Sequence, residues 1–267
     1  MVRRSAVPVV PMAAQWALLG ILLWALAPWP LAGVVVAIAG AGVGWFVLLR
    51  ALGHDGRGLG PADHVTVTRA TLACVVAALT TSWVLGGATA ASADTARVPL
   101  VLLASVVLAL DAVDGWVARR TRTASALGAR LDMEVDAALI LVLSVAAALV
   151  LGWWVLAIGL LRYALLGATR AAPWLGGEVP PRYWRKAVAA LQGIVLTVVT
   201  AQVLPHPALV GLVGLALALL AWSFGTQVAG LWRARAPRPA PAAERPSVLR
   251  ATAAPAAGPG PLLEAPP

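Results

Sequence analysis

From Leu31 to Leu49 the chain carries no charged side chain. A helix needs about 20 such residues to cross a bilayer. Mainly apolar runs with few charges also extend from Ala13 to about Ala27, from Arg69 to about Gly86 and from Val98 to about Trp116. Others run from Ser125 to about Leu151, Trp153 to about Ala168, Ala187 to about Leu204 and Ala208 to about Trp232. Eight spans in 267 residues leave little room for anything else. The predicted fold class is an all-α integral membrane protein. Composition agrees: 61% of residues are hydrophobic, against about 45–50% in a soluble domain.

The first two spans follow one another almost at once, with Pro28 to Pro30 at the turn. Arg3 and Arg4 before an apolar region also suit a signal peptide, but the immediate second span favours an uncleaved helix. Residues 1–54 are therefore read as an N-terminal transmembrane hairpin, and residues 55–233 as a core holding the other six spans. Ala51 to His64, Gly87 to Arg97 and Arg170 to Lys186 are read as loops. From Ala234 the composition turns to Pro, Ala and Arg, which cannot bury a core, so residues 234–267 are predicted to be disordered.

Charge sets the expected topology. The chain has 20 Lys+Arg against 11 Asp+Glu. Such basicity can signal nucleic-acid binding, but here the cations lie between apolar spans, where they orient helices and face anionic lipid. No nucleic-acid partner is expected. With the N-terminus inside, the inner segments hold Arg3, Arg4, Arg50, Arg57, Arg119, Arg120, Arg122, Arg130, the Arg170–Lys186 cluster and the tail arginines; the outer connections hold only Arg97. This places a multi-pass chain in the cell membrane with both termini cytoplasmic. The single cysteine, Cys74, lies within a span and is read as packing. His54, His64 and His206 lack metal-ligand spacing.

Against this background the stretch from Asp111 to Asp136, DAVDGWVARRTRTASALGARLDMEVD, is the chemical centre. Carboxylates at a membrane are costly to desolvate and are usually paired, metal-bound or functional. Asp111, Asp114, Gly115 and Ala118 share one helix face, and Gly128, Asp132 and Asp136 share a face of the next. A hairpin of the two helices brings four carboxylates together at the cytoplasmic face. Uncompensated, they would repel one another. Oxygen-only ligands suit a hard cation such as Mg²⁺ or Mn²⁺, and a cluster this acidic can hold two.

The pattern Asp111-x2-Asp114-Gly115-x2-Ala118-Arg119-x8-Gly128-x3-Asp132-x3-Asp136 resembles the signature of the class I CDP-alcohol phosphatidyltransferases. Every fixed position is filled and every spacing agrees. The resemblance implies a six-helix membrane core, usually homodimeric, that moves a substituted phosphate from a CDP-linked donor to an alcohol and releases CMP. It implies two metal ions, with Asp111 and Asp132 bridging both, Asp114 completing one site, and Asp136 completing the other and acting as base. It places Gly115, Ala118, Arg119, Ser125 and Gly128 on the CDP donor. Ser125 reads equally as a helix N-cap.

Family members often carry Asn-x-x-Thr-x-x-Arg at the start of the first core helix, on the cytidine nucleotide. Here the residues are Asp63, Thr66 and Arg69. Asp63 keeps an acceptor oxygen but lacks the amide donor. Asp63 or Thr66 reads equally as an N-cap. The common donor of the family is CDP-diacylglycerol, in phospholipid biosynthesis; some members use a soluble CDP-alcohol and a lipid acceptor. A phosphorylated polyol acceptor needs cations near the metals, and Arg162, Arg182, Arg185 and Lys186 are the candidates. Arg162 leads, because an arginine inside a span usually faces a polar cavity.

Two rival readings stand beside this one. A transporter would use intramembrane aspartates to bind cations or relay protons. An idle structural homologue would keep the fold without turnover.

Overall fold

The computed structural model describes residues 9–26, 30–55, 61–86, 90–121, 126–177 and 183–234. Among them lie eight α-helices and no strand. They are α1 (Val9–Ala25), α2 (Leu31–Asp55), α3 (Pro61–Leu85), α4 (Ala90–Thr121), α5 (Ala126–Leu151), α6 (Leu156–Ala171), α7 (Tyr183–Ala201) and α8 (His206–Ala234). Short 3-10 turns at Trp153–Val155 and Pro173–Gly176 flank α6. All eight apolar runs are thus helical. Five helices are long and apolar enough to cross a membrane: Leu31–Arg50, Asp63–Leu85, Leu131–Leu151, Trp153–Ala171 and His206–Arg233. The chain is an all-α membrane protein. At 17 residues α1 is about 26 Å long, short of a hydrocarbon core of about 30 Å.

Several boundaries differ from the sequence reading. The supposed loop Ala51–His64 is helical at both ends, since α2 continues to Asp55 and α3 starts at Pro61. Pro61 suits a first helical position, where its missing N–H costs nothing. Neither Asp63 nor Thr66 is therefore an N-cap. The stretch read as a loop from Gly87 to Arg97 is helical from Ala90, because Ala-rich sequence favours helix. Pro99 lies inside α4 rather than at its start. The loop to Lys186 ends earlier, at the first turn of α7. The proline turn at Pro28–Trp29 and the tail from residue 235 lie outside the described residues.

The bundle is built around α3, which packs against α1, α2, α4 and α5. Val75, Val76, Ala78 and Leu79 of α3 are buried in one cluster with Leu100, Ala104 and Val107 of α4 and Leu139, Leu143 and Ala146 of α5. Leu19 of α1 and Ala37 and Ala41 of α2 join the same cluster. The two added helices therefore lie on the core rather than apart from it. On the other side, α7 bridges α4, α5 and α8.

Several buried side chains donate to backbone carbonyls, as an apolar interior favours. The hydroxyls of Thr197 and Thr200 donate to the carbonyls of Gly193 and Leu196, each at 2.8 Å. Gln192 Nε2 donates to Ala216 O at 3.0 Å, tying α7 to α8. A Cβ at Gly159 would lie 2.8 Å from Leu141 Cα, so only glycine lets α6 approach α5 this closely. Gly152, at φ +98°, takes the left-handed turn that ends α5.

Candidate active site

Three helices meet at one buried guanidinium. Arg69 of α3 is fully buried. Its Nη2 lies 3.0 Å from Asp111 Oδ1 of α4. Its Nη1 and Nη2 also donate to Asp132 Oδ1 and Asp136 Oδ1 of α5. The i, i+4 spacing of Asp132 and Asp136 puts both on the α5 face toward α3. One ligand oxygen from each of Asp111, Asp132 and Asp136 lies within 4.8 Å of the others.

The donor set fits a hard divalent cation. The oxygens span roughly twice a metal–oxygen bond of about 2.0–2.6 Å. One guanidinium cannot neutralise three carboxylates, so the cluster keeps surplus negative charge. The carboxylates are also reachable, with side-chain exposures of 40% for Asp111, 36% for Asp132 and 39% for Asp136. The cation is buried beneath the acids, which stay partly exposed.

The remaining expected residues fall into groups. Asp63 and Thr66 are buried on α3, in the two turns before Arg69. Gly128 lies on α5 one turn before Asp132. Asp114, Gly115, Ala118 and Arg119 are helical positions of α4 beyond Asp111, as the spacing required; their side chains lie outside the described residues. Ser125 and Arg182 lie outside them altogether.

The acceptor candidates separate. Lys186, in the first turn of α7, acts electrostatically on Asp111. Arg185 beside it stacks over the Trp184 ring, 5.8 Å from the centroid. Arg162 instead pairs with Glu134, Nη2 to Oε1 at 2.9 Å. Glu134 lies between Asp132 and Asp136 in sequence, so the helical period turns it to the opposite face of α5. An exposed carboxylate is thus the partner of this intraspan arginine.

Sequence reasoning missed Gln15. Its Nε2 donates to Thr68 Oγ1 at 2.9 Å, and its Oε1 accepts from Thr71 Oγ1 at 3.0 Å. This clamp fixes α1 to the stretch of α3 that carries Arg69. A lone glutamine in an apolar run was the available signal, since buried polar groups need partners.

No curated protein and no solved structure matches the chain. The family model of the CDP-alcohol phosphatidyltransferases matches residues 59–227. That stretch begins just before α3 and ends within α8, leaving α1 and α2 outside it. It takes in Asp63, Thr66 and Arg69, the acidic stretch of α4 and α5 and the cations of α7, and it is more than half of the 267 residues. By the extent of this match, the chain belongs to the CDP-alcohol phosphatidyltransferase family, whose members transfer a phosphatidyl group from a CDP-alcohol in the membrane; Asp111, Asp132 and Asp136, drawn together around Arg69, lie within the matched stretch.

Proposed function

We propose that the protein transfers a phosphatidyl group from CDP-diacylglycerol to an alcohol or polyol phosphate and releases CMP, at the cytoplasmic face of the cell membrane. The observation that carries this reading is the convergence of Asp111, Asp132 and Asp136 on buried Arg69. Asp111, Asp114, Asp132 and Asp136 would hold two Mg²⁺ or Mn²⁺ ions. Held there, such ions would supply positive charge to polarise the reacting phosphate and stabilise the leaving CMP oxygen.

The chain's own residues do the rest. Asp63, Thr66, Arg69, Gly115, Ala118, Arg119, Ser125 and Gly128 form the donor side. The glycines and alanine leave room for the nucleotide, and Arg119 suits a bidentate grip on the pyrophosphate. Asp136 takes the proton of the acceptor hydroxyl. The acceptor oxygen then bonds to the phosphatidyl phosphorus. The bond from that phosphorus to the bridging oxygen breaks, and its electron pair leaves with CMP. Lys186, whose charge is felt at Asp111, is the leading contact for an acceptor's phosphate, with Arg182 and Arg185 near it in sequence.

The six helices of residues 55–233 are the catalytic unit in this reading, and residues 1–54 an added hairpin. Positive charge on the inner loops supports the cytoplasmic placement. Family membership favours transfer chemistry over cation transport. The test incubates purified protein with Mg²⁺, CDP-diacylglycerol and a panel of polyol phosphates. Mass spectrometry of the lipid product names the acceptor. Absence of CMP release with every acceptor would refute the reading.

A further inference from the structure

We propose that Gln15 of α1 is a positioning residue for the acidic site, holding α3 in the setting at which Arg69 meets Asp111, Asp132 and Asp136. The N-terminal hairpin, outside the family match, is then a working part of the site. The proposal rests on the metal-dependent transfer read above.

The clamp grips one turn of α3. Gln15 Nε2 donates to Thr68 Oγ1 at 2.9 Å, and Thr68 donates onward to His64 O at 2.9 Å. Thr71 divides its one proton between Gln15 Oε1 and Val67 O, each at 3.0 Å. Both hydroxyls are thus tied to the α3 backbone as well as to Gln15, so the amide holds the helix rather than two loose side chains. Within an apolar bundle a freed amide finds few partners, which makes the pairing costly to leave. At about 100° per residue, Arg69 lies about 100° round α3 from Thr68 and about 160° from Thr71. The clamp therefore holds the side of α3 turned away from the acids, within one turn of the guanidinium.

Packing acts at the same level. Trp45 and Leu48 of α2 form a small buried cluster, against which Met12 and Trp16 of α1, Val67 of α3 and Leu131 of α5 pack. Val67 adjoins Thr68, and Leu131 adjoins Asp132. The hairpin thus touches both α3 and α5 beside the residues that meet. Arg69 reaches acids on two other helices, so a turn or slide of α3 would shift all three contacts at once. A misplacement of about 1 Å arising far from the chemistry can cost about 100-fold in rate.

The test uses the full chain in detergent micelles, well below its Tm. Gln15→Leu keeps the bulk and removes both bonds. It should weaken Mn²⁺ binding, read by paramagnetic resonance, and lower kcat with Mg²⁺ and CDP-diacylglycerol. Each loss should be about tenfold, the low end for residues that orient metal ligands. KM for the donor should not change. Thr71→Val removes one bond and keeps the shape. It should show a smaller loss of the same kind, and it decides the matter where Gln15→Leu does not fold. Leu19→Val is the control: Leu19, one turn on, is buried in the main core and takes no part in the clamp. A similar fall in Tm there should leave Mn²⁺ affinity and kcat at wild-type values. Wild-type Mn²⁺ affinity in Gln15→Leu and Thr71→Val, or an equal loss in Leu19→Val, would overturn the proposal while CMP release by the wild type upheld the transferase reading. Weakened Mn²⁺ binding in the clamp variants, with no CMP release even by the wild type, would uphold the positioning role and overturn the transferase.

Discussion

Arg69 Nη2 and Asp111 Oδ1 lie 3.0 Å apart, and this contact joins α3 to α4 while the same guanidinium holds both aspartates of α5. The cation has no exposed surface, whereas each carboxylate is at least a third exposed. The helices are thus tied from the inside while their acidic groups stay open to a ligand.

Arg69→Gln should destabilise the protein and make it depend on metal. Breaking a buried ion pair typically costs about 3–5 kcal/mol, and partial exposure of the acids reduces this to about 2 kcal/mol here. In detergent with chelator, Tm should fall. Added Mg²⁺ should recover more Tm in the variant than in wild type. An unchanged Tm in chelator would contradict the structural role.

Asp136→Asn should lower kcat by about 10²–10⁴-fold, the range of a general base. CDP binding measured by calorimetry should survive. Asp111→Asn should instead lose metal-dependent CDP binding. Normal turnover in the first variant, or normal binding in the second, would reject the assigned roles.

Chelation should stop CMP release, and Mn²⁺ should restore it. Paramagnetic resonance of Mn²⁺-loaded protein should show bound ion. Asp132→Asn should weaken that binding, because it removes one of three converging oxygens. Equal Mn²⁺ affinity in variant and wild type would place the metal elsewhere.

Lys186→Ala should raise KM for a phosphorylated acceptor by about tenfold, the loss of one charge-assisted contact. Arg162→Ala should leave that KM alone. It should lower stability by about 0.5 kcal/mol, as expected of an exposed pair with Glu134. The opposite pattern of KM effects would restore Arg162 as the acceptor contact.

Gln15→Leu removes two hydrogen bonds between α1 and α3. Interhelical bonds within membranes average about 0.6 kcal/mol, so the total loss should be about 1 kcal/mol. A double-mutant cycle with Thr68→Ala should show coupling. Strict additivity would mean that the clamp contributes nothing.

The meeting of Asp111, Asp132 and Asp136 was legible because their helical spacing, on two helices taken to form a hairpin, puts them on facing sides. The place of Arg69 was not. It lies 63 and 67 residues from its two α5 partners, and local pattern carries no record of such pairings. Arg162 shows the same limit: its position within a span suggested a cavity, and its pairing with Glu134, on the far face of α5, was not legible. The helix limits at Asp55, Pro61 and Ala90 were hidden because Gly, Pro and small residues read as loop, while a packed bundle extends helices through them.

The place of Arg69 on α3 also bears on biogenesis. A chain that brings its own counter-charge can close its bundle as it leaves the insertion machinery, before any ion has been captured. On the proposed metal site, loading would then be a late event, separable from folding.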